Sequence, residues 1–178
     1  MDIEKLKYPI GPFDKPTIIT KDLLNKWIDD ISTFPKRLLN EVVALTDKQL
    51  NTTYRPDGWT IRQVIHHCAD SHMNSLVRFK LTLTEDQPTV KPYYEDRWAE
   101  LLDAKDMPIA SSLSMLAGIH ERWTVLLNSL TDEQLKRTFI HPEHDNPFAL
   151  DEYISLYAWH GNHHLAHITE TKKRHGWR

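Results

Sequence analysis

Four histidines fall within the run His160-Gly161-Asn162-His163-His164-Leu165-Ala166-His167. His160 and His164 are one helical turn apart, as are His163 and His167. On an α-helix such pairs share a face, where two imidazoles can bind one metal ion. On a wheel of ~100° per residue with His160 at zero, His164 lies ~40° to one side and His167 ~20° to the other. Tyr153, Leu156 and Tyr157 fall in the same sector. The histidine face is therefore also the apolar face. Buried imidazoles need polar partners, and a metal ion supplies one for several at once.

Two ligands on one helix need a third from elsewhere. His66, His67 and His72 lie on a second stretch whose apolar stripe is Ile61, Val64, Ile65, Cys68, Leu76 and Phe79. His72 falls in the middle of that stripe and His67 beside it, so periodicity favours His72 or leaves the choice open. His66 is directed further away and reads as a surface residue. Asp70, one turn beyond His67, either orients an imidazole through its free ring nitrogen or is a surface carboxylate. His120 falls on the apolar stripe of a third stretch and reads as core, as does His72. His141 and His144 lie in a turn-rich loop and read as solvated.

Three neutral histidines would leave a divalent ion its full charge. Zinc held by three protein ligands keeps an open position for water or substrate. A dication there brings the pKa of bound water to ~7 and deprotonates a bound thiol outright. Imidazole also suits nickel, cobalt and copper. A zincin protease needs His-Glu-x-x-His with the glutamate as general base. Here Gly161 stands in the glutamate's place, which argues against a peptidase and favours a nucleophile that needs no such base. Cys68, the single cysteine, reads as core, so a reacting thiol would come from a cosubstrate.

These residues sit on four predicted helices, near Lys21–Leu45, 61–84, 109–130 and Leu150–His175. Pro35 is expected to kink or split the first. Thr60 reads as the N-cap of the second. Leu45-Thr46-Asp47-Lys48-Gln49-Leu50 recurs as Leu130-Thr131-Asp132-Glu133-Gln134-Leu135. Each copy carries a Thr-x-x-Gln capping box and so opens a short helix. The recurrence reflects either a common capping solution or an old duplication of a helix pair. Strand alternation is weak throughout, and the expected fold is an all-α four-helix bundle. Residues 1–19, with Pro9, Pro12 and Pro16, read as an extended proline-rich arm on a single domain spanning 1–178.

The chain has 178 residues, 40% hydrophobic, with a net charge of −3. That suits one domain and gives no basic block for nucleic acid or an anionic membrane surface. No stretch is apolar enough to span a bilayer. One unpaired cysteine and no apolar leader point to a soluble cytoplasmic protein.

The run Gly58-Trp59-Thr60-Ile61-Arg62-Gln63-Val64-Ile65-His66-His67-Cys68-Ala69-Asp70-Ser71-His72 resembles the first signature of the DinB/YfiT-like family. Trp98, His120-Glu121-Arg122-Trp123 and the run Tyr157 to Ile168 are similar to the YfiT branch, so the resemblance covers most of the chain. It implies a helical bundle with three histidine ligands around a divalent metal. Carried onto this sequence they are His67, His160 and His164; His163 and His167 read as residues that support the ligands or belong to the core. Several relatives are bacillithiol- or mycothiol-dependent transferases, and others are recorded as metal-dependent hydrolases. The resemblance thus implies a metal-dependent S-transferase joining a small thiol to an electrophile. A metal-dependent hydrolase using metal-bound hydroxide is the alternative, and a non-catalytic metal-binding stress protein is the third reading. Zinc is the expected metal, with nickel second. The family also implies a homodimer, to which the arm could contribute by wrapping a neighbour.

Overall fold

A computed structural model describes residues 2–144 and 146–177. A short helix α1 (Ile3–Lys7) opens the chain. The first long helix is α2 (Lys21–Val42), followed by a single turn, α3 (Asp47–Leu50), and the second long helix, α4 (Ile61–Thr84). The crossover carries α5 (Glu95–Trp98) and α6 (Leu102–Lys105). After α7 (Ala110–Asn128) come α8 (Asp132–Leu135), the antiparallel strands β1 (Thr138–Phe139) and β2 (Phe148–Ala149), and α9 (Leu150–His175).

Helix starts follow local chemistry. Thr46, Thr60 and Thr131 each form a complete capping box with Gln49, Gln63 and Gln134, which satisfies otherwise orphaned amides. Gly176, with φ of +66°, closes α9 in the left-handed conformation that glycine adopts freely. Pro35 does not split α2, which runs through it without a break. A proline in a helix interior removes one amide donor and frees the carbonyl four residues back. That carbonyl belongs to Ile31, and His120 of α7 takes it up.

Helices α2 and α4 each pack against both α7 and α9. The sequence-consecutive pair α2 and α4 therefore occupies opposite corners of the bundle. Two apolar clusters fill the interior. One holds Phe79, Trp123, Phe139 and Ile154, and the other Phe34, Leu38, Ile65, Leu116 and Ile168. Each such fully buried side chain contributes about 1.5–3 kcal/mol relative to leaving it exposed. His72 on α4, His120 on α7 and the histidines of 160–167 on α9 fall between these clusters, while His66 and His67 lie within the stretch of the second. The bundle is two apolar cores separated by a layer of imidazoles.

The N-terminal arm differs from a simple extended segment. Residues 3–7 are helical, and the arm lies on α9 of its own chain. Trp159 Nε1 donates to the Gly11 carbonyl at 3.2 Å, and Phe13 packs on the Trp159 ring. Among the described residues no helix is long and apolar enough to cross a membrane.

Candidate metal centre

Helix α4 presents His67, and α9 presents His160 and His164 to it. One ring nitrogen from each of the three lies within 4.8 Å of the other two, a grouping that could hold a metal ion. His67 Nε2 and His160 Nε2 are 3.3 Å apart. Two nitrogens bound ~2.0–2.1 Å from a tetrahedral ion stand about 3.3–3.4 Å apart. On the side of α9 facing α2, Gly161 permits a close approach of those two helices. A Cβ there would meet Phe34 Cδ2 of α2 at 3.1 Å.

Hydrogen bonds fix which nitrogen of each ring carries the proton. Burial holds His72, His120, His160, His164 and His167 below the ordinary histidine range, so all five are neutral. Desolvation takes His120 to about 4 and His167 to about 3. The Ile31 carbonyl can only accept, so His120 Nδ1–H donates to it at 2.6 Å. His120 Nε2 is then an acceptor, and His72 Nδ1–H donates to it, also at 2.6 Å. His72 Nε2 accepts from His160 Nδ1–H at 3.1 Å. The lone pair of His160 is thereby left on Nε2, the atom that faces His67.

A second chain acts on His164. The Lys7 carbonyl accepts from His167 Nε2–H at 2.9 Å, which leaves His167 Nδ1 to accept from His164 Nδ1–H at 3.4 Å. His164 is left with its lone pair on Nε2. Two ligand-type nitrogens are thus left unprotonated by chains anchored on the backbone carbonyls of Ile31 and Lys7, both in the N-terminal part of the sequence. This donor set fits a divalent ion of borderline character. His163, His164 and His167 also lie within 4.8 Å of one another, but the facing nitrogens of His164 and His167 are engaged with each other. His163 stacks on Trp159, and its buried Nδ1 has no hydrogen-bond partner among the described residues.

Comparison with known proteins agrees with this architecture. The model of the DinB superfamily matches residues 31–168. The chain belongs to the DinB superfamily. It is 49% identical over 172 residues to the Bacillus subtilis protein named "Putative metal-dependent hydrolase YfiT", covering 97% of each chain. A protein of Bacillus cereus strain 03BB102 named "Putative metal-dependent hydrolase" is 52% identical over 172 residues, 97% of this chain and 98% of its own. The solved structure of Bacillus subtilis YfiT superposes with a TM-score of 0.95 at 48% identity, covering 98% of this chain and 99% of that one. It is described as a probable metal-dependent hydrolase with an unusual four-helix bundle topology.

Within this DinB bundle the three histidines open onto a cleft of 390 Å³. Its walls include Trp59, whose ring lies 4.7 Å from that of His67, and Tyr157. The Tyr157 hydroxyl donates to the Ser71 carbonyl at 3.2 Å and lies 3.1 Å from Ser71 Oγ, which in turn stands 3.5 Å from His160 Nε2. Arg78 and Tyr93 complete the deep wall, while Glu95 and Glu143 line the same cleft as exposed residues.

Several expectations need correction. His66 is buried rather than exposed, because α6 and the start of α7 cover its face. Its Nδ1 lies 2.8 Å from Ser112 Oγ and its Nε2 3.2 Å from the Met107 carbonyl. His141 is buried as well, while His144 beside it is exposed. Asp70 is half-buried, and burial raises its carboxyl to about 6, with Asp103 adding to the rise. No hydrogen bond links its carboxylate to an imidazole among the described residues. Arg78, Ser71 and Tyr93 escaped the sequence reading. Arg78 is eleven residues beyond His67, which places it ~20° away on the same helical face, so the wheel carried that signal.

Proposed function

We propose that this chain is a metal-dependent enzyme in which His67, His160 and His164 hold a divalent ion and a small-molecule nucleophile is activated beside it. The observation that carries this reading is the pair of imidazole chains that leave unprotonated Nε2 atoms on histidines lining the cleft. When bound, the ion keeps a docked thiol or water anionic at neutral pH. Zinc is the first expectation and nickel the second.

The nucleophile the site suits best is the thiolate of a low-molecular-weight thiol such as bacillithiol. The surrounding imidazoles are held neutral by burial, and the cleft carboxylates stand exposed at its rim. A thiolate needs no base at the moment of attack. Its sulfur forms a bond to an electrophilic carbon as the carbon–halogen or strained carbon–oxygen bond breaks. The thiol proton passes to solvent, and the leaving group departs as an anion or, from an epoxide, takes up a proton from water. Cys68 does not supply the sulfur, since it is fully buried and burial pushes its thiol well above the ordinary range. Hydrolysis is the second reading, favoured by the names of the relatives.

The test supplies metal-loaded protein with bacillithiol and a panel of chloro- and epoxide-bearing acceptors. Metal-dependent conjugate formation is expected. Turnover of esters, amides or lactones with no added thiol, and no conjugation, would replace the transferase by the hydrolase. Unchanged metal content in His160→Ala would remove the site itself.

A further inference from the structure

Arg78 lines the cleft, and the metal centre does not explain its placement. It stands on α4, three turns beyond His67, and is 8% exposed. Its Nη1 donates to the Tyr153 hydroxyl at 2.8 Å and its Nη2 to the Lys91 carbonyl at 3.4 Å. Both partners are neutral. Among the described residues no carboxylate lies within ion-pairing distance of the guanidinium. Glu95 and Glu143, which line the same cleft, are exposed and do not reach it.

A guanidinium offers five N–H donors in a planar fork and stays charged at every pH a protein meets. Burying such a charge without a counter-ion is strongly unfavourable. The fork is built for bidentate pairing with a carboxylate or phosphate. Here it lines a cleft wide enough for a small molecule, with the buried His141 ring on the same wall.

We infer that Arg78 is the anchor for an anionic group, a carboxylate in the first instance, on the small molecule whose reactive atom sits at the three-histidine centre. This rests on the metal-centre reading above and adds the class of ligand: a bifunctional molecule with a metal-seeking group at one end and an anion at the other. His141 flanks the anchor, and Tyr93 closes the wall beside Ser71 and Tyr157. Arg78 positions and selects the ligand and takes no part in bond making.

Isothermal titration of the zinc-loaded protein tests this with two matched pairs of probes. One pair is 3-mercaptopropionate and 2-mercaptoethanol, and the other succinic monohydroxamate and acetohydroxamate. Within each pair only the first carries a carboxylate. The anionic member is expected to bind about 10- to 100-fold more tightly, the range of a charge-assisted hydrogen-bonded pair. Arg78→Gln should erase that preference and leave the neutral member's affinity unchanged, which also shows that the cleft is intact. Arg78→Lys, which keeps the charge and loses the fork, should retain part of it. Equal binding within both pairs by the unsubstituted protein overturns the anchor, whatever the variants do. So does a preference that survives Arg78→Gln. Discrimination between the hydroxamates with no binding of either thiol upholds the anchor and removes the thiolate reading. Binding of both thiols without discrimination does the reverse.

Discussion

At the scale of single residues, what distinguishes one histidine from another is the far side of its ring. His67 and His72 both reach His160, but on different atoms: His67 meets Nε2 and His72 meets Nδ1. A helical wheel sees two inward-facing histidines and cannot separate these roles. The family resemblance names His67, and the hydrogen bonds supply the physical reason. Loss of a group that orients a ligand imidazole lowers metal affinity about 10- to 100-fold. His72→Ala is therefore expected to weaken metal binding by about that factor while the three proposed ligands, His67, His160 and His164, remain. His66→Ala removes an equally buried ring bonded to Ser112 and Met107, so it should lower thermal stability and leave metal affinity within about threefold, since its partners lie outside the chains that end on the ligands. Competition against a chromophoric chelator measures both, and similar affinities in the two variants would dissolve the distinction. Cys68 follows the same logic. Its buried, hard-to-ionise thiol should resist iodoacetamide in the folded protein and react only on unfolding. Alkylation of native protein, followed by mass, checks this.

At the scale of elements, the four long helices and both short capping-box helices were legible because periodicity and caps are local signals. The corner that each helix occupies was not legible. Helices α2 and α4 follow one another in sequence yet share their neighbours, and no local pattern encodes that diagonal. The burial of His66 was hidden for the same reason, since its cover comes from the crossover and not from its own helix. Pro35 reads locally as a break, yet α2 continues because His120 takes the carbonyl it frees. Gly161 shows how tightly these elements constrain one another. Alanine there would gain about 1 kcal/mol of helix propensity. Its Cβ would press on Phe34 at 3.1 Å, and Phe34 is fully buried with the rings of His72 and His120 against it. The ring has nowhere to retreat, so strain outweighs propensity. Gly161→Ala should lower the melting temperature by about 2–4 °C, corresponding to about 1 kcal/mol in a chain of this size. Adding Phe34→Leu should recover part of the loss. A rise in melting temperature in the single variant would show that the helices can part.

At the scale of the whole molecule, a layer of neutral imidazoles between two apolar cores makes the fold sensitive to acid. Burial holds His67, His120 and His163 at about 4 and His167 at about 3. Burial also keeps His72, His160 and His164 well below their ordinary range. In the unfolded chain each would titrate near 6.5. Above that pH both states are neutral and the full stability is present. As pH falls below 6.5 the unfolded chain takes up protons that the native state excludes, and stability is lost until the native values near 4 are reached. A shift from 6.5 to about 4 at one site, such as His120, is worth about 3 kcal/mol, a large fraction of a typical domain's stability. Asp70 opposes this. Its carboxyl, raised to about 6 when folded, contributes stability that is present in acid and lost as pH rises through 6. One half-buried group does not offset seven buried rings. The metal-free protein is therefore expected to unfold with a midpoint between pH 6.5 and 4. A bound ion holds the ligand lone pairs against protonation and favours the folded state by mass action. The metal-loaded protein should accordingly unfold at a lower pH than the metal-free form, and the gap should narrow in His72→Ala. Circular dichroism at the helical minimum, followed through an acid titration with and without chelator, reads all three. A metal-free protein equally stable at pH 4 and pH 7 would mean that the imidazole layer takes up protons without opening the bundle.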